Sequence, residues 1–241
     1  MHISPNSTTS RQSGNIMIYI LGAIVLMGLL IILVKGSTTP GAGIDNETTI
    51  IRASEVQQYA GELERAIGYI LQNNHSEADI RFAATGAPAA YGNIATDTPL
   101  TRQVFAKEGG AANYRAPPAG VQTTTTPWQF YGNTHIKGMG SDTVGSRKGE
   151  LIAVLPNVTQ AFCERINELN GQNLTLTANH DPSANGCIYT GGGNEFTGTF
   201  VTGGTTNTID HTLFTQIPPK EACIKCESTG ALHFYHVLLG R

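Results

Sequence analysis

An unbroken apolar run from Asn15 to Val34, NIMIYILGAIVLMGLLIILV, dominates the start of the chain. It contains no charged residue and no proline. About 20 such residues are needed for an α-helix to cross a bilayer core, and a helix satisfies its own backbone donors and acceptors in lipid. The run predicts a transmembrane helix over residues 15–35. It exceeds the apolar core of a cleaved secretory signal, about 7–15 residues, so it reads as an anchor that stays in the membrane. Gly and Pro in GSTTPGAGI predict a linker over residues 36–45 that interrupts the helix.

The next pattern is periodic. Val56, Tyr59, Leu63, Ile67 and Ile70 follow the 3.6-residue rhythm of one helix face. They predict a helix within Asn46 to Asn74 whose apolar stripe packs on a sheet. Asn46, or Ser54 with Gln57, is the N-cap, and Asn73-Asn74 is the stop. From His75 to Gly149 no period is sustained, except for a strand around Trp128–Tyr131 with the only Trp as a core anchor. Glu150–Leu155 reads as a buried strand ended by Pro156. A second helix follows, with Asn157 as N-cap, Val158, Phe162, Ile166 and Leu169 facing inward, and Gly171 as stop. Cys187–Thr190 and Glu195–Val201 form a hairpin signal around Gly191-Gly192-Gly193-Asn194. Ala231–Leu239 is a closing apolar strand.

These elements predict an α+β fold: a transmembrane or stem helix, a linker, then helices packed on an antiparallel β-sheet with disulfides. The divisions are a tail or leader over 1–14, the span over 15–35, the linker over 36–45 and an extracytoplasmic domain over 46–241.

Charge narrows the partners. Only 14% of residues are charged and the formal net charge is -3. No basic patch stands out, so nucleic acid is not an expected partner. The membrane is. Cysteine usage points to an oxidising compartment, with Cys163, Cys187, Cys223 and Cys226 an even set beyond the apolar run. Four cysteines allow about three pairings, and spacing does not choose among them.

Cys223-Ile224-Lys225-Cys226 admits redox and metal readings, but its expected place is a loop before the last strand, not the start of a helix. His233 and His236, three apart on a strand, face opposite sides and do not converge on zinc. The expectation is that each cysteine of this pair bonds one of Cys163 and Cys187. His135, Asp142, His180 and Asp181 raise a hydrolase reading, but no G-x-S-x-G spacing accompanies them. No HExxH, P-loop or dinucleotide fingerprint occurs either. The sequence therefore predicts no catalytic residue, no metal ligand, no cofactor and no enzymatic activity.

Arg11-Gln12-Ser13-Gly14, followed directly by the uncharged helix, resembles the leader junction of type IV prepilins and pseudopilins. Gly28 and Pro40 are similar to the helix-loosening residues of pilin stems. The AFCERIN helix and the final FYHVLLGR strand also resemble pilin-like proteins of alphaproteobacteria. The resemblance implies cleavage by a prepilin peptidase between Gly14 and Asn15, and subunit partners in a homo- or hetero-oligomeric filament. It implies a single-pass inner-membrane protein whose C-terminal domain is periplasmic or on the cell surface. One position departs from the family: Tyr19 stands fifth after Gly14, where pilins carry Glu. That argues against an ordinary major pilin and leaves a minor pilin or tip-like minor pseudopilin, or a pilin-like protein of an unusual clade. The alternative expectation is an anchored extracytoplasmic binding module for a glycan or cell-wall ligand, which the turn-rich, Asn/Thr-rich composition also suits.

Overall fold

The computed structural model describes residues 19–27, 42–143, 145–172, 188, 195–203, 207–209, 214–226 and 229–241. The chain divides into two units, Met1–Glu47 and Thr48–Arg241.

In the first unit, residues 19–27 are helical. Gly14 and Asn15 lie outside the described residues, as do 28–35 of the expected span and 36–41 of the expected linker. No helix among the described residues is long and apolar enough to cross a membrane.

The periodic stripe forms as predicted, on a longer helix. Helix α1 spans Ala42–Gln72. It begins before both predicted caps, so Asn46 and Ser54 lie inside it and residues 42–45 of the expected linker are helical. Ala53, Val56, Ala60, Leu63, Ile67 and Ile70 are fully buried or nearly so, at the i, i+3, i+4 spacing of a core face. The stop falls as expected. Asn73 N bonds back to Tyr69 O and Ile70 O, and Asn74 takes a left-handed φ of 63°, a conformation Asn tolerates better than most residues.

Five strands follow in sheet order β3-β1-β2-β5-β4. They are β1 (Gln129–Ile136), β2 (Glu150–Leu155), β3 (Asn207–Ile209), β4 (Glu221–Lys225) and β5 (Leu232–Leu239). β1–β2, β2–β5 and β5–β4 pair antiparallel, whereas β3 lies parallel to β1. The sheet is therefore mixed, not purely antiparallel.

Both faces of the sheet are apolar, because alternate residues point to opposite sides. Phe130, Leu151, Ala153, Leu155, Cys223 and Phe234 join the core that includes α1. Tyr131, Ile152, Val154, Ala222, Ile224 and Tyr235 form a second cluster on the opposite side. This explains why β2 after Glu150 is a continuous apolar run, Leu151–Leu155, with no polar alternation, every residue of the strand being buried.

Helix α2 (Gln160–Leu169) lies against β4 and β5. Its N-cap is Thr159, whose hydroxyl accepts from Phe162 N at 3.4 Å. Asn157 is not the cap: its φ is 55°, and its carbonyl accepts from Thr123 N. Phe162, Cys163, Ile166 and Asn167 are the buried positions of the helix, while Leu169 is 43% exposed. The inward face is thus rotated from the predicted one. Gly171, with φ 64°, ends the helix as expected.

The region from 76 to 121 is irregular, as predicted, with 3-10 turns at Glu77–Asp79, Ala89–Tyr91 and Leu100–Arg102. It nevertheless supplies core. Phe82 stacks on Phe130 with ring centroids 3.9 Å apart, and Tyr91 meets Phe130 edge-on at 5.5 Å. Trp128 anchors the neighbouring part of the core between Tyr59 and Phe234.

The expected hairpin does not form from 195–201. Those residues are not a strand; they run beside β1 through Phe196 N to Phe130 O and Val201 N to Gly132 O. The approach requires glycine, since a Cβ at Gly132 would lie 2.7 Å from the Phe196 ring. Residues 189–194, and most of Cys187–Thr190, lie outside the described residues.

Candidate functional site

The cysteines resolve the main ambiguity. Cys223 sits in the middle of β4, not in a loop, and bonds Cys163 of α2 across 60 residues of sequence, with Cα atoms 5.2 Å apart. One turn along the same helix face, Asn167 Nδ2 donates to Cys223 O at 2.9 Å and its Oδ1 accepts from Cys223 N at 2.8 Å. Helix and strand are held there by a covalent bond and two buried hydrogen bonds. Cys226 is also disulfide-bonded, and Cys187 lies outside the described residues. The Cys223–Cys226 pair is a structural feature of a strand, not a dithiol poised for exchange.

His233 and His236 face opposite sides of β5, as their spacing predicts. His233 is buried, its Nδ1 has no hydrogen-bond partner, and burial lowers its pKa to about 4. His236 faces the helices. Its Nδ1 lies 2.6 Å from Glu221 Oε2 and its Nε2 lies 3.3 Å from Glu64 Oε2. Glu221 Oε1 also accepts from Gln57 Nε2 at 2.6 Å and Asn170 Nδ2 at 2.8 Å. Lys220 Nζ donates to Glu64 at 2.6 Å. Burial pushes the Glu221 carboxyl up, but the bonds from His236, Gln57 and Asn170 outweigh it and hold its pKa below the ordinary value. In Glu64 the same opposition, with Lys220 and His236 as donors, also ends below the ordinary value. This junction borders a shallow cavity of about 380 Å³ and ties α1, α2, β4 and β5 together.

His135 and Asp142 are brought together, as the hydrolase reading requires, at 2.9 Å between Nε2 and Oδ1. The ring is wholly buried, and its Nδ1 faces Lys148 O at 3.2 Å and Glu150 Oε1 at 3.3 Å. Glu150 is itself buried and accepts from Ile136 N at 2.8 Å. Burial lowers the His135 pKa, but bonds to Glu150 and Asp142 outweigh it, so the net shift is upward. The geometry is that of an imidazolium clamped between carboxylates.

Both ring nitrogens of His135 and of His236 thus face oxygen acceptors. Neither ring has a nitrogen free to take a proton from a nucleophile. His180 and Asp181 lie outside the described residues. Among the described residues, no group of three or more His, Cys, Asp or Glu is arranged to hold a metal ion.

The most conspicuous surface is in the first unit. Tyr19, Ile20, Leu21, Ile24, Val25, Leu26 and Met27 are each more than half exposed, Tyr19 the most at 73%. Positions 19–27 cover more than two turns of an α-helix, so apolar side chains project all round it and not from one stripe.

Sequence reasoning did not find β4, β3 or the acceptor role of Glu221. A signal for β4 was present in Ala222-Cys223-Ile224, three small or apolar residues after the breakers Pro218-Pro219.

No family model, curated protein or solved structure matches the chain.

Proposed function

We propose that this chain is a membrane-anchored, pilin-like structural subunit, a minor pilin or pseudopilin of a surface filament or secretion complex. The observation that carries the reading is the helical segment 19–27, whose large apolar side chains are exposed on every face. Burying a Leu, Ile, Val or Met side chain gains roughly 1.5–3 kcal/mol. A one-sided apolar stripe would fit a groove on another protein. Apolar side chains all round the helix fit lipid, or the apolar core of a helical filament. The uncharged run from Asn15 to Val34 and the Gly14 junction before it support the same reading.

In this reading the C-terminal domain is the head, in the periplasm or on the cell surface, where the Cys163–Cys223 bond is stable. Its partners are the bilayer, a prepilin peptidase and neighbouring subunits. Tyr19 in place of the family's Glu supports a minor component over a major pilin. Mass spectrometry of the exported protein tests the proposal. A mature N-terminus at Asn15 is expected; an intact Met1 overturns the prepilin reading and leaves a plain anchor.

The anchored binding module is the second reading. It is favoured by an open polar cavity on the head, lined by Arg81, Asp97, Arg102 and Gln103 among others.

A further inference from the structure

The cavity lies between the 3-10 turns of the irregular region. Its volume is about 430 Å³, within the roughly 300–1,000 Å³ range of small-molecule sites. Arg81, Arg102, Gln103 and Asp97 are among its lining residues.

The donors there are incompletely used. Arg81 engages only Nη1, which donates to Ala78 O at 2.7 Å and Ile80 O at 2.8 Å. It has no carboxylate partner among the described residues. Burial and the neighbouring Arg102 lower its pKa, and the carboxylates of Asp79 and Asp97, acting at longer range, only partly oppose them. Arg102 reaches Asp79 at 3.4 Å and Thr98 O at 3.0 Å, and its Nε is buried without a partner. Asp79 is also held by Ser76, through its N–H at 2.9 Å and its hydroxyl at 2.6 Å.

Gln103 is 1% exposed. Its Oε1 accepts from Ala83 N at 3.1 Å, which fixes the amide orientation. Its Nε2 has no partner among the described residues. An unpartnered amide donor on a cavity wall shared with two arginines is a recognition element for an anion.

The acceptor on the same wall sets what else the ligand must carry. Asp97 Oδ2 accepts from Asn93 N at 2.8 Å, and its Oδ1 remains open. A bare anion would meet this carboxylate as a repulsive neighbour. A ligand with hydroxyl groups could donate to it. The hydroxyls of Thr98 and Thr197, both on the cavity wall, also make no hydrogen bond among the described residues.

We infer that this cavity binds a hexuronate, free or as the end of an acidic glycan, its carboxylate taken by Arg81, Arg102 and Gln103 and its ring hydroxyls by Asp97 and the threonines. The inference goes beyond the structural-subunit proposal and does not depend on whether the chain assembles into a filament.

Isothermal titration calorimetry on the full chain in detergent tests it. The probes are D-glucuronate, a glucuronate-capped disaccharide, D-glucose and acetate. Saturable heat is expected with D-glucuronate, the disaccharide or both, and the tighter of the two identifies the source. D-glucose and acetate should each bind at least about tenfold more weakly, since each lacks one half of the recognised chemistry.

Gln103→Glu keeps the acceptor for Ala83 N and replaces the open donor with a negative oxygen. It should weaken binding by about tenfold or more. Arg81→Lys keeps the charge and loses the planar fork, for a fall of about fivefold. If either variant fails to fold, as read by thermal unfolding, the other decides. Absence of heat with both uronate probes overturns the inference. Acetate or glucose binding as tightly as D-glucuronate overturns the ligand class. Variants that fold and bind like the parent overturn the site. None of these results bears on the mature N-terminus, so the two proposals fail separately.

Discussion

The buried ionisable groups give the head a pH profile that can be worked out one residue at a time. His233 has its pKa lowered to about 4 from the ordinary 6.5, so the folded state holds it neutral. The stability it contributes is present above 6.5 and is lost as pH falls toward 4, roughly 3 kcal/mol in all. His135 runs the other way. Its folded pKa is raised, so its contribution is complete below the unfolded value and is lost as pH rises through the folded one. Glu64 and Glu221 are lowered; their contribution is present above the unfolded value and is lost as pH falls through the folded one. Stability should therefore pass through a maximum and fall on both sides. Urea midpoints measured from about pH 3 to about pH 9 check this. His233→Phe should flatten the acid limb, and His135→Asn the alkaline one. A variant with an unchanged profile would mean that its histidine does not titrate as assigned.

The apolar stripe of α1 was fully legible in the sequence because periodicity reports a face directly, wherever the helix begins. Its start was not, because Pro40, Gly41 and Gly43 outweighed the rest of the local signal, yet the helix begins at Ala42. For α2 the cap was misplaced by two residues, from Asn157 to Thr159, and the inward face rotated with it, leaving Leu169 outside and bringing Asn167 in. Both residues can cap a helix; Asn157 instead has a left-handed φ while its carbonyl accepts from Thr123 N, a contact that spacing along the chain does not encode. Leu63→Ala should cost about 2–5 kcal/mol. Leu169→Ala should cost no more than about 0.5 kcal/mol, the range of surface changes. Chemical denaturation of the two variants separates the observed face from the predicted one. Thr159→Ala should cost about 1 kcal/mol by loss of the cap.

For the molecule as a whole, the α+β class and the structural use of cysteine were legible, since one follows from element patterning and the other from compartment chemistry. The parallel β1–β3 pair was not, because β3 has only three residues, too few for any period. Nor was the polar cavity: Arg81, Asp97, Arg102 and Gln103 come together through turns whose geometry leaves no repeating mark. Closing the loop between Cys163 and Cys223 contributes about 4 kcal/mol in the chain-entropy description. Cys163→Ser with Cys223→Ser should lower stability by about that amount in a denaturant titration. With this pair joined, Cys187 is the one cysteine left in the chain for Cys226. Peptide mapping without reduction should recover that second pair. Under the proposal of a membrane-anchored subunit, Ile24→Arg adds about 3 kcal/mol to the cost of insertion near a helix centre. It should shift the protein from the carbonate-resistant membrane fraction toward the supernatant.

Asn167 has one more consequence. β4 is an outermost strand of the sheet, and a bare outer strand is a template on which a foreign strand can align. At its midpoint the peptide N–H and carbonyl are both occupied by the amide of Asn167, and the sulfur is tethered next to them. At Cys223 an incoming backbone finds both pairing groups already taken. A second copy's strand could align along that border only by first displacing the Asn167 amide.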